Sequence, residues 1–187
     1  MNFTPTPLAG AVLVGLDRLQ DERGFFARSF CSKEFMAVGL NPNVVQCNVS
    51  RNRFAGTLRG LHFQVAPFEE AKLVRVTKGA IFDVIVDLRK QSPTFTKWYG
   101  VELSEENHTA LYVPEGFAHG FLTLTDDTEI FYQMSNYYSA QHARGFRYDD
   151  PAFAITWPGA AKVISPKDQE YPDFSADLPE IKLLGAH

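Results

Sequence analysis

Short segments rich in aromatic and β-branched residues run along the whole chain and are separated by glycine and proline. The 187 residues include 16 Phe, 13 Gly and 11 Pro. This distribution of Gly and Pro favours many short strands over long helices, because both residues interrupt regular structure. We therefore predict one all-β domain over residues 1–187, a double-sheet jelly-roll barrel of about ten strands with one or two short helices. The best helix candidate begins at Ser32, its predicted N-cap, and runs to Val38, with Gly39 as its stop.

Tight turns indicate three pairs of strands that the pattern predicts to be β-hairpins. The turns lie at residues 51–57, at Lys78-Gly79 and at Asp126-Asp127. In the second strand of the middle pair, period two places alternate residues on opposite faces of the sheet. One face is formed by Phe82, Val84, Val86 and Leu88. The other face carries Asp83 and Asp87, which we interpret as structural residues in a sheet that packs on both sides.

The charge balance and the cysteine content exclude several classes of protein. The net charge is −4 at pH 7, and the chain has only two cysteines, Cys31 and Cys47. A net acidic chain does not predict a surface that coats DNA or RNA. Two distant cysteines predict neither a disulfide framework nor a thiolate zinc site. Without a signal-peptide pattern or an apolar run of roughly 18 residues, we expect a cytoplasmic protein with no nucleic-acid or membrane partner.

The most informative segment is residues 56–64, Gly-Thr-Leu-Arg-Gly-Leu-His-Phe-Gln. It is predicted to be a strand, so His62 and Gln64 point to the same face. The segment is similar to the first motif of the cupin superfamily, in which two histidines and a later glutamate face into the barrel as metal ligands. Here Gln64 replaces the second histidine, and amides are poor ligands for borderline metals. We therefore expect no metal, which leaves His62 available for proton transfer.

Several further motifs narrow this resemblance. They include DERGFF at 21–26, LRGLHFQ at 58–64, AKLVR at 71–75, PEGFAHGF at 114–121, and Ser165 with Lys167-Asp168. In this order and near this spacing, they resemble the dTDP-4-dehydrorhamnose 3,5-epimerase family of the cupin superfamily. PEGFAHGF is the most specific single match, and the resemblance extends from about residue 14 to residue 168.

The resemblance implies an isomerase without a cofactor, which inverts C3 and C5 of a nucleotide-linked 4-keto-6-deoxyhexose. Both carbons are α to the C4 ketone, so a base can remove a proton to give an enolate and an acid can return it to the opposite face. By the family pattern His62 is the base, and Asp168 orients and charge-stabilises it. Tyr132 is the proton donor. Lys72 lies near the enolate oxygen, which fixed donors or cations must stabilise.

The same resemblance assigns contacts with the nucleotide diphosphate-sugar to a further set of residues. This set is Arg23, Gln46, Asn48, Arg59, His119, Tyr138 and Lys167. Arginine offers a planar fork that suits phosphate, and Tyr138 falls where an aromatic ring stacks on the nucleobase. The family is typically a homodimer whose strands exchange between subunits, so we expect a homodimer.

Two positions depart from the family pattern. Arg28 stands where the family commonly has a Glu that contacts the base, so a cation replaces a carboxylate that accepts from thymine N3–H. Ala143 and Arg144 stand where an acidic residue of the family is missing. We keep Arg28 among the substrate-binding candidates and leave the nucleobase open.

Four alternatives remain from the sequence. An epimerase could act on a CDP- or GDP-linked keto sugar, or could invert only one of the two carbons. A 3,4-ketoisomerase of related fold would also move protons around a keto sugar, although the PEGFAHGF run and Lys167-Asp168 favour the epimerase. A sugar-binding cupin without activity would have no reason to retain His62 and Tyr132 together. A metal-binding cupin is disfavoured by Gln64.

Overall fold

The computed structural model describes residues 1–177, so the end of the predicted domain, residues 178–187, lies outside the described residues. The strands in chain order are β1 (Asn2–Pro5), β2 (Val12–Gly15), β3 (Leu19–Asp21), β4 (Gly24–Phe26), β5 (Gln46–Asn52), β6 (Thr57–Gln64), β7 (Lys72–Lys78), β8 (Ala80–Asp87), β9 (Trp98–Ser104), β10 (Ala110–Val113), β11 (Phe117–Thr123), β12 (Thr128–Met134), β13 (Ala143–Gly145) and β14 (Val163–Ile164). The helices are α1 (Ser32–Ala37) and α2 (Pro166–Gln169). Within residues 1–177, no helix has the length and apolarity that a membrane span needs.

Two sheets form the barrel. The first has the strand order β1-β2-β10-β7-β12-β5, and the second has the order β13-β6-β11-β8-β9 with β14 beside β6. Val74 and Ile130 of the first sheet pack against Ile85 and Phe121 of the second in one buried cluster. This arrangement confirms the predicted cupin-type jelly roll, in which the inner faces of two sheets enclose a common core.

Each sheet is also covered on its outer face. On the first sheet, Phe35 of α1 packs with Leu73 and Tyr112. On the second sheet, the segment after β13 contributes Phe146 and Phe153 to a cluster with residues of β6, β8 and β11. The predicted apolar face of β8 belongs to this cluster through Phe82, Val84, Val86 and Leu88. The prediction of a strand buried on both faces is therefore confirmed.

All three predicted hairpins are wrong, because each tight turn carries the chain from one sheet to the other. The pairs β5 and β6, β7 and β8, and β11 and β12 are joined by short turns, yet their members lie in different sheets. Two of the turns contact each other at one end of the barrel. There, Gly56 N–H donates to the Thr123 carbonyl at 2.8 Å, and Asp127 N–H donates to the Arg53 carbonyl at 3.1 Å. A turn signal indicates a tight connection, but non-local packing decides which strand edges pair.

The helix predicted from Ser32 is present, with a correction at its start. Cys31 is the N-cap and makes no side-chain capping bond, so Ser32 is the first helical residue. Gly39 follows the helix with φ +76 and ends it as predicted.

A two-stranded ribbon, β3 with β4, stands apart from both sheets. The second strand of this ribbon ends at Phe26. Leu19 and Phe26 are 72% and 73% exposed on this ribbon. Its contacts with the barrel include the ring of Phe25, which lies 5.0 Å from the ring of His108. The ribbon thus carries apolar side chains that its own barrel does not cover.

Candidate active site

One cavity of about 360 Å³ opens between the two sheets. Its walls combine β5, β7 and β12 of the first sheet with β6, β11 and β13 of the second. Most of the predicted site residues line it, namely Asn48, Arg59, His62, Lys72, His119, Tyr132, Tyr138 and Lys167. Residues far apart in the sequence are therefore collected at one place because inward positions of several strands share the barrel interior.

His62 and Asp168 form the predicted pair. His62 Nε2 lies 2.7 Å from Asp168 Oδ1, and the side chain of His62 is 42% exposed while that of Asp168 is 6% exposed. The helix α2 places this carboxylate, because Ser165 caps its first turn by accepting the Asp168 N–H and Pro166 pre-sets the backbone. The Gly60 N–H also approaches Asp168 Oδ2 at 3.4 Å.

The surroundings keep Asp168 charged. Burial alone would raise the pKa of its carboxyl. The hydrogen bond and charge of His62, the Gly60 N–H and Ser165 together outweigh burial and lower the pKa below its ordinary value of 3.8. A charged carboxylate holds the imidazole proton on the facing nitrogen, Nε2, so Nδ1 is the nitrogen that can accept a proton.

Tyr132 stands on the wall opposite His62, since β12 and β6 belong to different sheets. Burial raises the pKa of its phenol and the charge of Asp83 raises it further, against the opposing effects of Arg59 and a hydrogen bond with Ser50. The phenol therefore keeps its proton at neutral pH. It is chemically suited to donate a proton rather than to accept one.

A second histidine–carboxylate pair lies beside Tyr132. His119 Nε2 is 2.7 Å from Asp83 Oδ1 and both side chains are buried, and the His119 ring is 6.2 Å from the Tyr132 ring. Asp83 Oδ2 has no hydrogen-bond partner among the described residues. The alternation along β8 predicts Asp83 to be structural and does not indicate its place beside the site. The signal was its inward position on β8, between the core residues Ile81 and Ile85.

Lys72 is paired with the carboxylate of Glu70, for which the sequence pattern predicts no role. Its Nζ lies 3.1 Å from Glu70 Oε1, and both side chains are at least nine-tenths buried. Gln64 donates from Nε2 to the same carboxylate, and its Oε1 accepts the Ser139 N–H at 2.6 Å. The Gln64 amide, which stands where a metal-binding cupin has a histidine, is thus engaged by protein groups.

The other binding candidates surround the cavity. Arg59 donates from Nε to Asn52 Oδ1 at 2.8 Å, which fixes its side chain along the wall. Gln46 lies outside the lining, but its Oε1 accepts the Tyr138 N–H at 3.1 Å. It therefore holds the segment that presents Tyr138, 57% exposed, at the rim. Lys167 extends from α2 to the same region.

Arg23 and Arg28 do not reach the cavity of their own chain. Arg23 is at the tip of the ribbon and pairs with Asp21 at 2.5 Å. Arg28 follows the ribbon and pairs with Glu34 at 2.8 Å. Their assignment to the substrate stays a prediction, because within one chain both arginines lie apart from His62.

Ten lining residues were not among the predicted site residues, including Ala143, Arg144 and Tyr171. Ala143 and Arg144, noted above only as departures from the family pattern, lie on β13 and line the cavity. Tyr171 follows α2 and its ring lies 5.8 Å from the ring of His62. No motif in the sequence marks Tyr171, because its place depends on how the segment after Asp168 packs on the barrel.

The sequence model of the dTDP-4-dehydrorhamnose 3,5-epimerase family matches residues 5–176. The chain belongs to this epimerase family. A dTDP-4-dehydrorhamnose 3,5-epimerase of Sinorhizobium fredii is 46% identical over 180 residues, which are 96% of this chain and 92% of that relative. The crystal structure of the Bacillus anthracis epimerase, with TDP and PPi bound, has a TM-score of 0.89 and 45% identity, and the match covers 92% of this chain and 99% of that chain. The Legionella pneumophila epimerase in complex with dTDP-4-keto-L-rhamnose has a TM-score of 0.88 and 39% identity, covering 98% of this chain and 96% of that chain.

Membership of the epimerase family confirms two of the predictions. Epimerases are isomerases, so the predicted enzyme class is confirmed. The close superposition on solved epimerases confirms the predicted cupin-type barrel.

Proposed function

We propose that this protein converts dTDP-4-dehydro-6-deoxy-D-glucose to dTDP-4-dehydro-L-rhamnose by inverting C3 and C5. His62 is the base, oriented by Asp168, and Tyr132 is the acid. The reaction needs no cofactor in this mechanism, because the C4 ketone itself acidifies both protons. We expect it to proceed in the cytoplasm.

The observation that carries this proposal is the placement of His62 and Tyr132 on opposing sheets of one cavity. Inversion requires that a proton leaves one face of a carbon and returns to the other. A base on one wall and an acid on the opposite wall meet this requirement for a sugar that lies between them. The charged Asp168 also stabilises the imidazolium that forms when His62 accepts the proton.

Lys72 is the proposed stabiliser of the enolate. Its ammonium lies on the cavity wall and is nearly buried beside Glu70. A fixed cation in a region of low dielectric stabilises negative charge on O4 as the proton is removed. The pairing with Glu70 holds Lys72 in place without filling the cavity.

The nucleotide is proposed to lie towards the rim, where Arg59 and Lys167 can contact the diphosphate. Tyr138 is exposed at this rim and can stack on the nucleobase. The thymidine ligands in the Bacillus anthracis and Legionella pneumophila structures support a dTDP sugar over a CDP or GDP sugar.

We also propose a homodimer in which the ribbon reaches the partner. Leu19 and Phe26 of the ribbon and Val49 of β5, which also lies in the cavity lining, are all more than half exposed. β5 is an edge strand of the first sheet, and such edges require cover. A second copy covers these apolar residues and gives Arg23 and Arg28 a route to the partner's cavity.

Solvent deuterium exchange tests the proposed function. The protein is incubated in D₂O with dTDP-4-dehydro-6-deoxy-D-glucose, and the C3 and C5 protons are followed by NMR. We expect exchange at both carbons, and His62→Ala and Tyr132→Phe each to slow product formation by about 10²-fold or more. Tyr137→Phe is the matched control, because Tyr137 is exposed and lies outside the cavity lining.

The other outcomes contradict parts of the proposal. Exchange at C3 alone makes the protein a 3-epimerase. Exchange only with CDP or GDP keto sugars overturns the proposal that the substrate carries thymine. A 3-keto product identifies a ketoisomerase. Absence of exchange with every substrate leaves a nucleotide-sugar-binding protein.

A further inference from the structure

The segment that follows β14 delivers three side chains to the site within a few residues. Lys167 and Asp168 belong to α2, and Tyr171 follows directly after it. The ring of Tyr171 is half-buried, lines the cavity, and stands edge-on to His62 with centroids 5.8 Å apart and an interplanar angle of 67°. Tyr171 therefore forms a wall next to the proposed base.

The ring of Tyr171 packs against the backbone of β13. Gly145 of β13 is paired in register with His62 of β6. A Cβ at position 145 would come within 2.4 Å and 2.5 Å of two Tyr171 ring atoms and within 2.7 Å of the Leu61 carbonyl oxygen. The absence of a side chain at Gly145 thus creates the room that Tyr171 fills.

The hydroxyl of Tyr171 is engaged by Lys167. The interaction with this hydroxyl is the largest cause that raises the pKa of Lys167. Nζ lies 5.8 Å from the centre of the Tyr171 ring. A lysine at an exposed position normally samples many rotamers. Here Lys167 lies beside Tyr171 and lines the cavity.

We propose that Tyr171 is a positioning residue, which holds Lys167 for the diphosphate and fixes His62 for proton transfer. This inference rests on the proposed function. The Tyr171 hydroxyl acts through Lys167 on affinity for the nucleotide, and the Tyr171 ring acts through His62 on turnover. The two roles belong to different parts of one side chain and are therefore separable by substitution.

The test compares Tyr171→Phe, Tyr171→Ala, Lys167→Met and the double variant Tyr171→Phe/Lys167→Met with the parent protein. Tyr137→Phe is the matched control, since it removes a hydroxyl from an exposed tyrosine outside the cavity lining. Three quantities are measured for each protein. They are the Kd for dTDP by calorimetry, and kcat and KM for the dTDP keto sugar.

We expect Tyr171→Phe to raise the Kd for dTDP and the KM by about 2–10-fold, the range for loss of one hydrogen bond, with kcat nearly unchanged. Tyr171→Ala should in addition lower kcat by about tenfold, because His62 loses the wall that fixes its ring. The double variant should match Lys167→Met, because the hydroxyl has no effect once Lys167 is absent.

Additive effects of Tyr171→Phe and Lys167→Met would overturn the hydroxyl's role, as would an unchanged Kd in Tyr171→Phe. An unchanged kcat in Tyr171→Ala would overturn the ring's role. If Tyr171→Ala fails to fold, the phenylalanine variant and the double variant still decide the hydroxyl's role. A parent that binds dTDP without turnover removes the proposed function and leaves the calorimetric test intact, whereas a parent that does not bind dTDP overturns both.

Discussion

The surroundings of Tyr132 and Asp168 shift their pKa values in opposite directions. Burial and the charge of Asp83 raise the pKa of Tyr132, whereas hydrogen bonding to His62 and its neighbours lowers that of Asp168 despite burial. Tyr132 therefore keeps its proton and suits the role of the acid. Asp168 stays charged and suits the role of the charged partner of His62. In the proposed mechanism, His62 is the base that Asp168 orients, and Tyr132 is the acid.

Replacement of Asp168 tests its charge at the scale of one residue. We expect Asp168→Asn to lower kcat by about 10²–10⁴-fold, because the amide neither fixes the tautomer of His62 nor stabilises its imidazolium. Asp149→Asn is the control, since Asp149 is a half-exposed carboxylate in the same part of the chain. Equal kcat values for the two variants would contradict the role of Asp168.

The same variant predicts a pH dependence of stability. The pKa of Asp168 is lowered in the folded state, so its charged form stabilises the fold above the ordinary value and this stabilisation is lost as the pH falls through the folded value. The difference in free energy of unfolding between the parent and Asp168→Asn should therefore be largest near neutral pH and shrink below 3.8. Urea unfolding at several pH values measures it, and a difference that grows on acidification would refute the assignment.

At the scale of elements, the turns that cross between the sheets determine which side chains meet. Strands β5, β7 and β12 lie in one sheet, and β6, β8 and β11 lie in the other. Each crossing therefore puts neighbours in sequence on opposing walls. This is how Lys72 and Tyr132 come to face His62 and His119 across one cavity.

Replacement of Gly79 tests the turn that connects β7 in the first sheet to β8 in the second. Gly79 has φ +76, and an added Cβ would lie 2.4 Å from Thr125 Oγ1 and 2.7 Å from Thr128 Oγ1. Gly39 is the matched control, because it has the same φ and nothing within 4 Å of an added Cβ. We expect Gly39→Ala to cost about 1 kcal/mol from backbone strain and Gly79→Ala about 2–4 kcal/mol from strain and crowding. Equal costs in urea unfolding would refute the crowding at the crossing turn.

At the scale of the whole molecule, the proposed dimer rests on apolar residues that the chain itself leaves uncovered. Val49 is 62% exposed on β5 and is paired across the strands with Phe131. Burial of such side chains against a second copy provides the driving force for association. The ribbon carries two more such residues, Leu19 and Phe26.

Light scattering coupled to size exclusion tests the proposed dimer. We expect the mass of two 21.0 kDa chains for the parent protein, and the mass of one chain for Val49→Glu, because a charge is not tolerated in an apolar interface. Val38→Glu is the control, since Val38 is 48% exposed at the end of α1. A dimeric Val49→Glu protein would place the interface elsewhere.

The sequence predicts the parts of the site that local periodicity determines. His62 and Gln64 share a face because strands alternate, and the apolar face of β8 follows from the same rule. The hairpins fail because strand pairing depends on distant residues, as with the β12 residues that pair with both β5 and β7. Glu70 and Tyr171 are missed for a related reason, since each reaches the cavity only after a loop or tail has packed on the barrel.

His62 and Asp168 are separated by 106 positions in the chain. During synthesis, the ribosome therefore completes both principal sheets before the residues of α2 have left its exit tunnel. A chain that stops before Ser165 contains the strands β1 to β14 but has a histidine without its carboxylate. We therefore expect a chain cut before Ser165 to lose the proposed activity, because the proposed base His62 then has no carboxylate to orient it.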